Sequence, residues 1–454
     1  MCGMLGAHDL PGFDVAARLE LIAHRGPDGA GIGTEGAAIH GHVRLALLDL
    51  TDASAQPFRY GGGLLSFVGE IWNHAELREE LRRQGAAFKT TGDTEVLAAA
   101  LSTWGVARAL PRLEGMFTFA WSRRAEHVLA RDRFGKVPLH VHRRGRGFAW
   151  CSEMKGLGPE HPSAPLPPGT VLDLATASVR RWYELPRRAG KLDLAEAIEA
   201  GVRERLFADA PVCCLVSGGL DSSLVLAAAR RANPKVVAYT AKLEGKSADL
   251  AAARRLCAEW EVPLVEVPVP PPDTARLAEA LRAIELPSKA QVEIAALCLP
   301  LAEAIAGDGF KACLSGEAAD ELFGGYGSMC IKASGADDAG WRAIRVAQLE
   351  KMARGNFVRC NKAFMAKGVE CRLPFMRRAL VEHVLNLGKQ DCPPGKGALK
   401  RAAERLVPAW VVRRSKETFQ GASGMAGAAA RAVQNPTRYY GAEFRREFGA
   451  SHAG

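Results

Sequence analysis

The chain has 454 residues, 48% of them hydrophobic and 24% charged, with a formal net charge of +10. That length exceeds what one hydrophobic core organises, so two domains or more are expected. The positive charge is dispersed, with no dense basic tract interleaved with aromatics, which argues against a nucleic-acid partner.

No apolar run reads as a bilayer span and no charged-then-apolar leader opens the sequence, so a membrane partner is not expected either. The eleven cysteines are odd in number and form no C-x-x-C pair. They read as reduced thiols in a cytoplasmic protein, mostly small buried fillers such as Cys213, Cys214 and Cys313.

Taken from the start, Cys2 follows the initiator Met. Removal of that Met would put a thiol beside its own α-amine, whose reference pKa of roughly 8 suits a general base. Helical periodicity occupies residues 15–24, 75–84 and 94–101. Short strand-like runs between glycine turns occupy 43–50, 63–68, 116–121 and 127–130. His24-Arg25-Gly26-Pro27-Asp28 is a polar turn. Arg44 offers a planar fork for a substrate carboxylate, while Glu70 and Asp93 offer acceptors for an ammonium or amide group. Together these residues describe a seat for glutamine.

The polar stretch 184–190, with Pro and Gly, is the expected linker, dividing a first domain (1–185) from a second (191–454). Beyond it, strand-like runs at 212–216, 236–241, 263–267 and 311–314 alternate with helical ones. That alternation predicts a parallel sheet with ligands at the strands' carboxyl ends. From about residue 341 the chain reads as mainly helical. After the first of these strands, Ser217-Gly218-Gly219-Leu220-Asp221-Ser222 precedes a helix. Bare N–H groups at a helix N-terminus favour a phosphate, and Asp221 suits a magnesium ion. No Walker lysine is present, so this is a different phosphate cradle. A second motif, Ser315-Gly316-Glu317-Ala318-Ala319-Asp320-Glu321, likewise follows a strand and opens a helix. The arginine pairs 82–83, 377–378 and 413–414 read as solvated helix faces.

These motifs, with Gly69-Glu70-Ile71-Trp72-Asn73, Asp93-Thr94-Glu95-Val96, Arg131-Asp132-Arg133-Phe134-Gly135, Arg359-Cys360-Asn361-Lys362, residues 368–375 and Ser415-Lys416-Glu417, resemble those of the asparagine synthetase family. The resemblance covers nearly the whole chain, to about Gly424. It implies an α/β fold: an N-terminal α/β/β/α sandwich of the N-terminal-nucleophile type, then a parallel-sheet pyrophosphate-loop domain with a helical C-terminal part. By the same resemblance Cys2 attacks glutamine's side-chain amide and releases ammonia, with Arg44, Gly69, Glu70 and Asp93 binding glutamine. Leu215, Ser217, Gly218, Gly219, Asp221, Ser222, Ser315 and Gly316 would hold ATP while a carboxylate, aspartate by default, is adenylated. Asp221 and Asp320 would bind Mg2+, Glu317 would handle the nitrogen's proton, and Lys416 would approach the phosphates. A homodimer is compatible with the family.

Two departures stand out. The family usually has Asn before Gly69, contributing to the oxyanion hole, where this chain has Val68. Loss of one such donor typically lowers the rate about a hundred- to a thousand-fold, so slow glutaminase and use of free ammonia are expected. The family's acceptor-lining Arg aligns with Glu293, which predicts repulsion of a second substrate carboxylate unless Lys289 compensates. Hence another carboxylate acceptor is the alternative to aspartate, and a nucleotide- or glutamine-binding protein without turnover is a third reading.

Overall fold

The structure is a computed structural model, describing residues 1–188, 190–243, 247–414, 425–433 and 435–449. Its first part is built on two antiparallel sheets. One six-stranded sheet runs in the order Ala164–Pro165, His140–Arg144, Gly147–Cys151, Gly3–His8, Ala38–Arg44, Gly29–Glu35. The other runs Val179–Arg181, Thr170–Asp173, Glu126–Arg131, Gly115–Arg123, Gly63–Ile71, Phe58–Tyr60.

Alternation along each strand creates the layers. In Gly63–Ile71, residues Leu65, Phe67 and Ile71 face the helices His74–Arg83 and Asp93–Trp104. Val68 faces the opposite way and joins Met4, Met116, Leu129, Phe148 and Trp150 between the sheets. Leu5, Val43, Ala149 and Cys151 pack outward on the helix Val15–Leu19. The resulting order is helix, sheet, sheet, helix, as expected.

The second part holds a five-stranded parallel sheet ordered Leu264–Pro268, Ala238–Lys242, Val212–Leu215, Ala312–Leu314, Glu370–Arg372. The chain enters at the centre, winds to one edge, then returns to build the other. The order therefore reverses between Val212–Leu215 and Ala312–Leu314, and in such sheets a ligand crevice opens at that switch point. The helices Leu220–Ala232 and Ala248–Glu259 follow successive strands, and beyond residue 338 the described chain is helical apart from Glu370–Arg372 and connecting turns.

Several expectations need correction. The strand expected at 43–50 ends at Arg44, because Leu45 turns aside to pair both its backbone groups with the Cys2 thiol. The expected helix at 15–24 tightens into a 3-10 helix from Glu20 to Arg25. One helix, Lys289–Gly307, is in fact apolar and long enough to cross a membrane. It is instead packed against the helices Thr274–Ile284 and Asn356–Met365, which explains its hydropathy. The paired arginines are not all solvated faces: Arg377 meets Glu204 at 2.7 Å, Arg378 meets Glu114 at 2.7 Å, and Arg414 donates to the Gly218 carbonyl at 3.2 Å.

Candidate functional site

Cys2 lies at the start of the central strand Gly3–His8 of the first sheet, with its carbonyl held by Arg25 Nε at 3.1 Å. Around it Arg44, Gln56, Gly69, Glu70, Asp93 and Met1 line one small cavity of about 30 Å³. The structure thus brings together every residue expected to seat glutamine. Gly69 is required: its φ is +138°, and a Cβ there would strike the Met116 carbonyl and lie 2.7 Å from the Phe117 Cα. Burial pushes the Cys2 thiol up to about 11. Burial also raises Asp93, and raises Glu70 well above the carboxylate range with Glu370 adding repulsion.

Three details differ from expectation. The N-terminal ammonium belongs to Met1 and sits 2.8 Å from the buried Glu370, so the Cys2 amine is a peptide nitrogen while Met1 remains. Arg44 places its terminal nitrogens on the carbonyls of Thr51 (2.7 Å) and Asp49, so its fork braces the cavity wall. Glu70 lies 3.3 Å from Arg372, a residue of the parallel sheet that sequence reasoning gave no role here. Val68 is fully buried and presents only methyl groups, while the nearby Gln56 amide is spent on both backbone groups of Phe67.

The second site forms at the switch point. Gly218 has φ +72°, and a Cβ there would lie 2.6 Å from Ala252 Cβ and Ala253 N. Gly316 is equally tight, with its hypothetical Cβ 2.8 Å from the Asp221 carbonyl carbon and Ser222 nitrogen. The two motifs, nearly a hundred residues apart, therefore touch backbone to backbone. Gly219 caps the helix Leu220–Ala232, leaving its first N–H groups beside the loop. Ser217 and Ser222 bond each other through their hydroxyls at 3.1 Å. Leu215 ends the central strand and Ser315 follows its neighbour, with Ser315 Oγ accepting from the Glu317 nitrogen at 3.3 Å.

Asp221 and Asp320 converge on a single ammonium, that of Lys396, which lies 2.7 Å from Asp320 and also pairs with Asp221. Burial opposes the charge on Lys396, but the two carboxylates outweigh it and hold its pKa above the usual lysine value. Lys396 was not anticipated; it lies in a Pro-Pro-Gly-Lys-Gly turn whose left-handed φ of +66° aims it inward. Two carboxylates aimed at one cation, beside a phosphate cradle, are the donor set that a hard divalent ion takes.

Glu317 is gripped by Arg359, by Asn356 at 2.8 Å and by the Cys360 thiol at 3.6 Å. Glu321 accepts from Asn356 at 2.9 Å and from Tyr326 at 2.6 Å, and burial beside Glu317 pushes it up to about 8. Glu293 does not join this group. It lies about 200° round its helix from Gln291, which does, and it pairs with Lys289 at 2.8 Å. The expected clash between Glu293 and a substrate carboxylate is thus replaced by a neutralised pair, and Lys289 is committed to it. Lys416 lies outside the described residues.

A family model described as a glutamine amidotransferase domain matches residues 1–176, and one described as asparagine synthase matches residues 193–341 and 330–436. The chain belongs to the asparagine synthase family. It is 30% identical to asparagine synthetase B [glutamine-hydrolyzing] of Escherichia coli (strain K12), over 93% of this chain and 83% of that one. It is also 30% identical to an asparagine synthetase [glutamine-hydrolyzing] of Triphysaria versicolor, over 96% of this chain and 81% of that one. Among solved structures, an allosteric regulatory enzyme of purine biosynthesis matches at a TM-score of 0.37 and 19% identity, covering 52% of this chain and 64% of that one.

Proposed function

We propose that the protein makes asparagine from aspartate, ATP and glutamine, releasing AMP and pyrophosphate. The carrying observation is the meeting of Ser217–Asp221 with Ser315–Asp320 at the switch point, Asp221 and Asp320 sharing one cation. We further take residues 1–185 as the glutaminase domain and 191–454 as the synthetase domain of a cytoplasmic enzyme, compatible with a homodimer. The eleven cysteines are all free, as a reducing compartment would keep them.

In the first domain, loss of Met1 gives Cys2 its own amine as base. The thiol then attacks the glutamine amide carbon, the C–N bond breaks, and ammonia leaves with the thiol's proton. Water cleaves the thioester to give glutamate. Glu70 and Asp93 hold glutamine's ammonium, and Arg44 keeps the wall that seats its carboxylate. Met1 lines the same small cavity as Arg44, Glu70 and Asp93, so its loss would enlarge the seat, which supports removal of that residue as the activating event.

In the second domain the acceptor carboxylate attacks the α-phosphorus of ATP and pyrophosphate leaves. Ammonia attacks the acyl carbon of the adenylate, AMP leaves, and Glu317 takes the proton. Backbone N–H groups at Gly219 and its helix bind phosphate, as does Lys416 by family resemblance. Asp221 and Asp320 would hold Mg2+, which when bound neutralises charge on the phosphates. Lys396, which pairs with both carboxylates, would supply a second positive charge beside the phosphates.

A second reading, with another carboxylate as acceptor, is favoured by the Lys289–Glu293 pair where the resemblance leads one to expect an Arg. ATP–pyrophosphate exchange across carboxylic acids, with amide products identified by mass spectrometry, tests both. Exchange with aspartate and one asparagine per AMP is expected. Exchange only with other acids would transfer the function to the second reading, and no AMP with any acid would sink both.

A further inference from the structure

Glu317 is held by a closed ring of hydrogen bonds contributed by three separate elements. Arg359 Nη2 donates to Glu317 Oε2, and Arg359 Nη1 donates to Gln291 Oε1 at 2.7 Å. Gln291 Nε2 donates to Asn356 Oδ1 at 2.9 Å, and Asn356 Nδ2 closes the ring on Glu317 Oε1 at 2.8 Å. Gln291 comes from the helix Lys289–Gly307, Asn356 and Arg359 from Asn356–Met365, and Glu317 from the loop after Ala312–Leu314.

Gln291 is the one member of the ring that makes no contact with a carboxylate, yet it fixes the two that do. Its carbonyl oxygen holds one arm of the Arg359 fork, setting the guanidinium plane. Its N–H group can only be accepted by Asn356 Oδ1, so the Asn356 amide must turn both its N–H groups toward Glu317 and Glu321. Remove Gln291 and Asn356 loses the reason for that orientation, while Arg359 gains freedom to swing. A carboxylate that must meet nitrogen within a fraction of an ångström depends on such support.

We infer that Gln291 is a positioning residue for the amide-forming step, acting on Glu317 through Asn356 and Arg359. This rests on Glu317 being the group that receives the nitrogen's proton. Gln291→Met keeps the volume and removes both hydrogen bonds. Gln291→Glu keeps the shape but sets an acceptor against Asn356 Oδ1, which turns that amide round.

The expected result, with ammonium as nitrogen donor, is that both variants fold and sustain ATP–pyrophosphate exchange. Amide formation falls about 10- to 100-fold, more for Glu than for Met, and AMP released per amide rises as water captures the adenylate. In a Glu317→Ala background, Gln291→Met should lower amide formation by less than about twofold, because there is no carboxylate left to position. Additive losses in that double variant, or wild-type amide yield in both single variants, would overturn the inference while Glu317 keeps its role. Full activity of Glu317→Ala would instead remove the role of Glu317 and the inference with it.

Discussion

Val68 stands where the family usually has Asn, and the expectation of slow glutaminase rests on that one side chain. Strand alternation fixes its direction: it points between the sheets, with Met1 and Met4 in the same core, immediately before the strained Gly69. Its methyl groups can stabilise packing but not a developing oxyanion. Val68→Asn should therefore raise glutamate release from glutamine about 100-fold once Met1 is removed, and leave ammonia-dependent amide formation unchanged. A variant no faster than wild type would mean that another donor already serves the oxyanion. At this scale the sequence discloses residues whose chemistry is distinctive, such as Cys2, Glu317 and Asp320. It conceals Lys396, Asn356 and Gln291, because a lysine or an amide declares its partner only when folding supplies one.

Elements also position these residues where a glycine backbone closely approaches their side chains. The loop after Ala319–Phe323 presses Gly325 against Asp320 and Lys396, and a Cβ there would overlap both the Asp320 carboxylate and the Lys396 side chain. Gly325→Ala must push one of them away. A shift of that kind should lower ATP–pyrophosphate exchange about 100-fold with little change in thermal midpoint. Gly327→Ala, whose Cβ meets nothing within 4 Å, is the matched control and should keep full exchange. Equal behaviour of the two variants would show that the loop yields without moving the carboxylates. Four of the five parallel strands were legible as apolar runs before turns. The fifth, Glu370–Arg372, was not, since charged residues flank its single cysteine. It is nonetheless fully buried, because Glu370 pairs with both the Met1 ammonium and Arg372, at 2.8 and 2.6 Å.

Across the whole molecule, one apolar core runs from the antiparallel into the parallel part, and a seam of charged groups lies beside it. Arg25 joins Glu153 at 2.6 Å and Asn361 at 2.9 Å and Lys362 pairs with Glu285 while reaching His140 at 3.2 Å, all buried, and at the half-buried rim Lys311 joins Asp28 at 2.7 Å. Glu285 also accepts the backbone N–H groups of Met154 and Lys155, at 2.8 and 2.9 Å. The polar stretch at 184–190 stands out in composition, but the seam does not, because each of its ions looks like a surface residue until its partner arrives from elsewhere in the chain. The helix Asn356–Met365 runs through it, carrying Asn356 and Arg359 to Glu317 at one end and Asn361 and Lys362 to the seam at the other. Removing one partner of a buried pair strands the other, typically at a cost of about 3–5 kcal/mol, here lessened by the two N–H groups that still serve Glu285. Lys362→Met should thus lower stability by roughly 2–3 kcal/mol. Because the loss falls on the joint, calorimetry should show one unfolding transition for the wild type and two for the variant, the parts melting separately. A single transition within a degree of the wild type would mean that the apolar contacts flanking the seam, not its charges, hold the two parts as one cooperative unit.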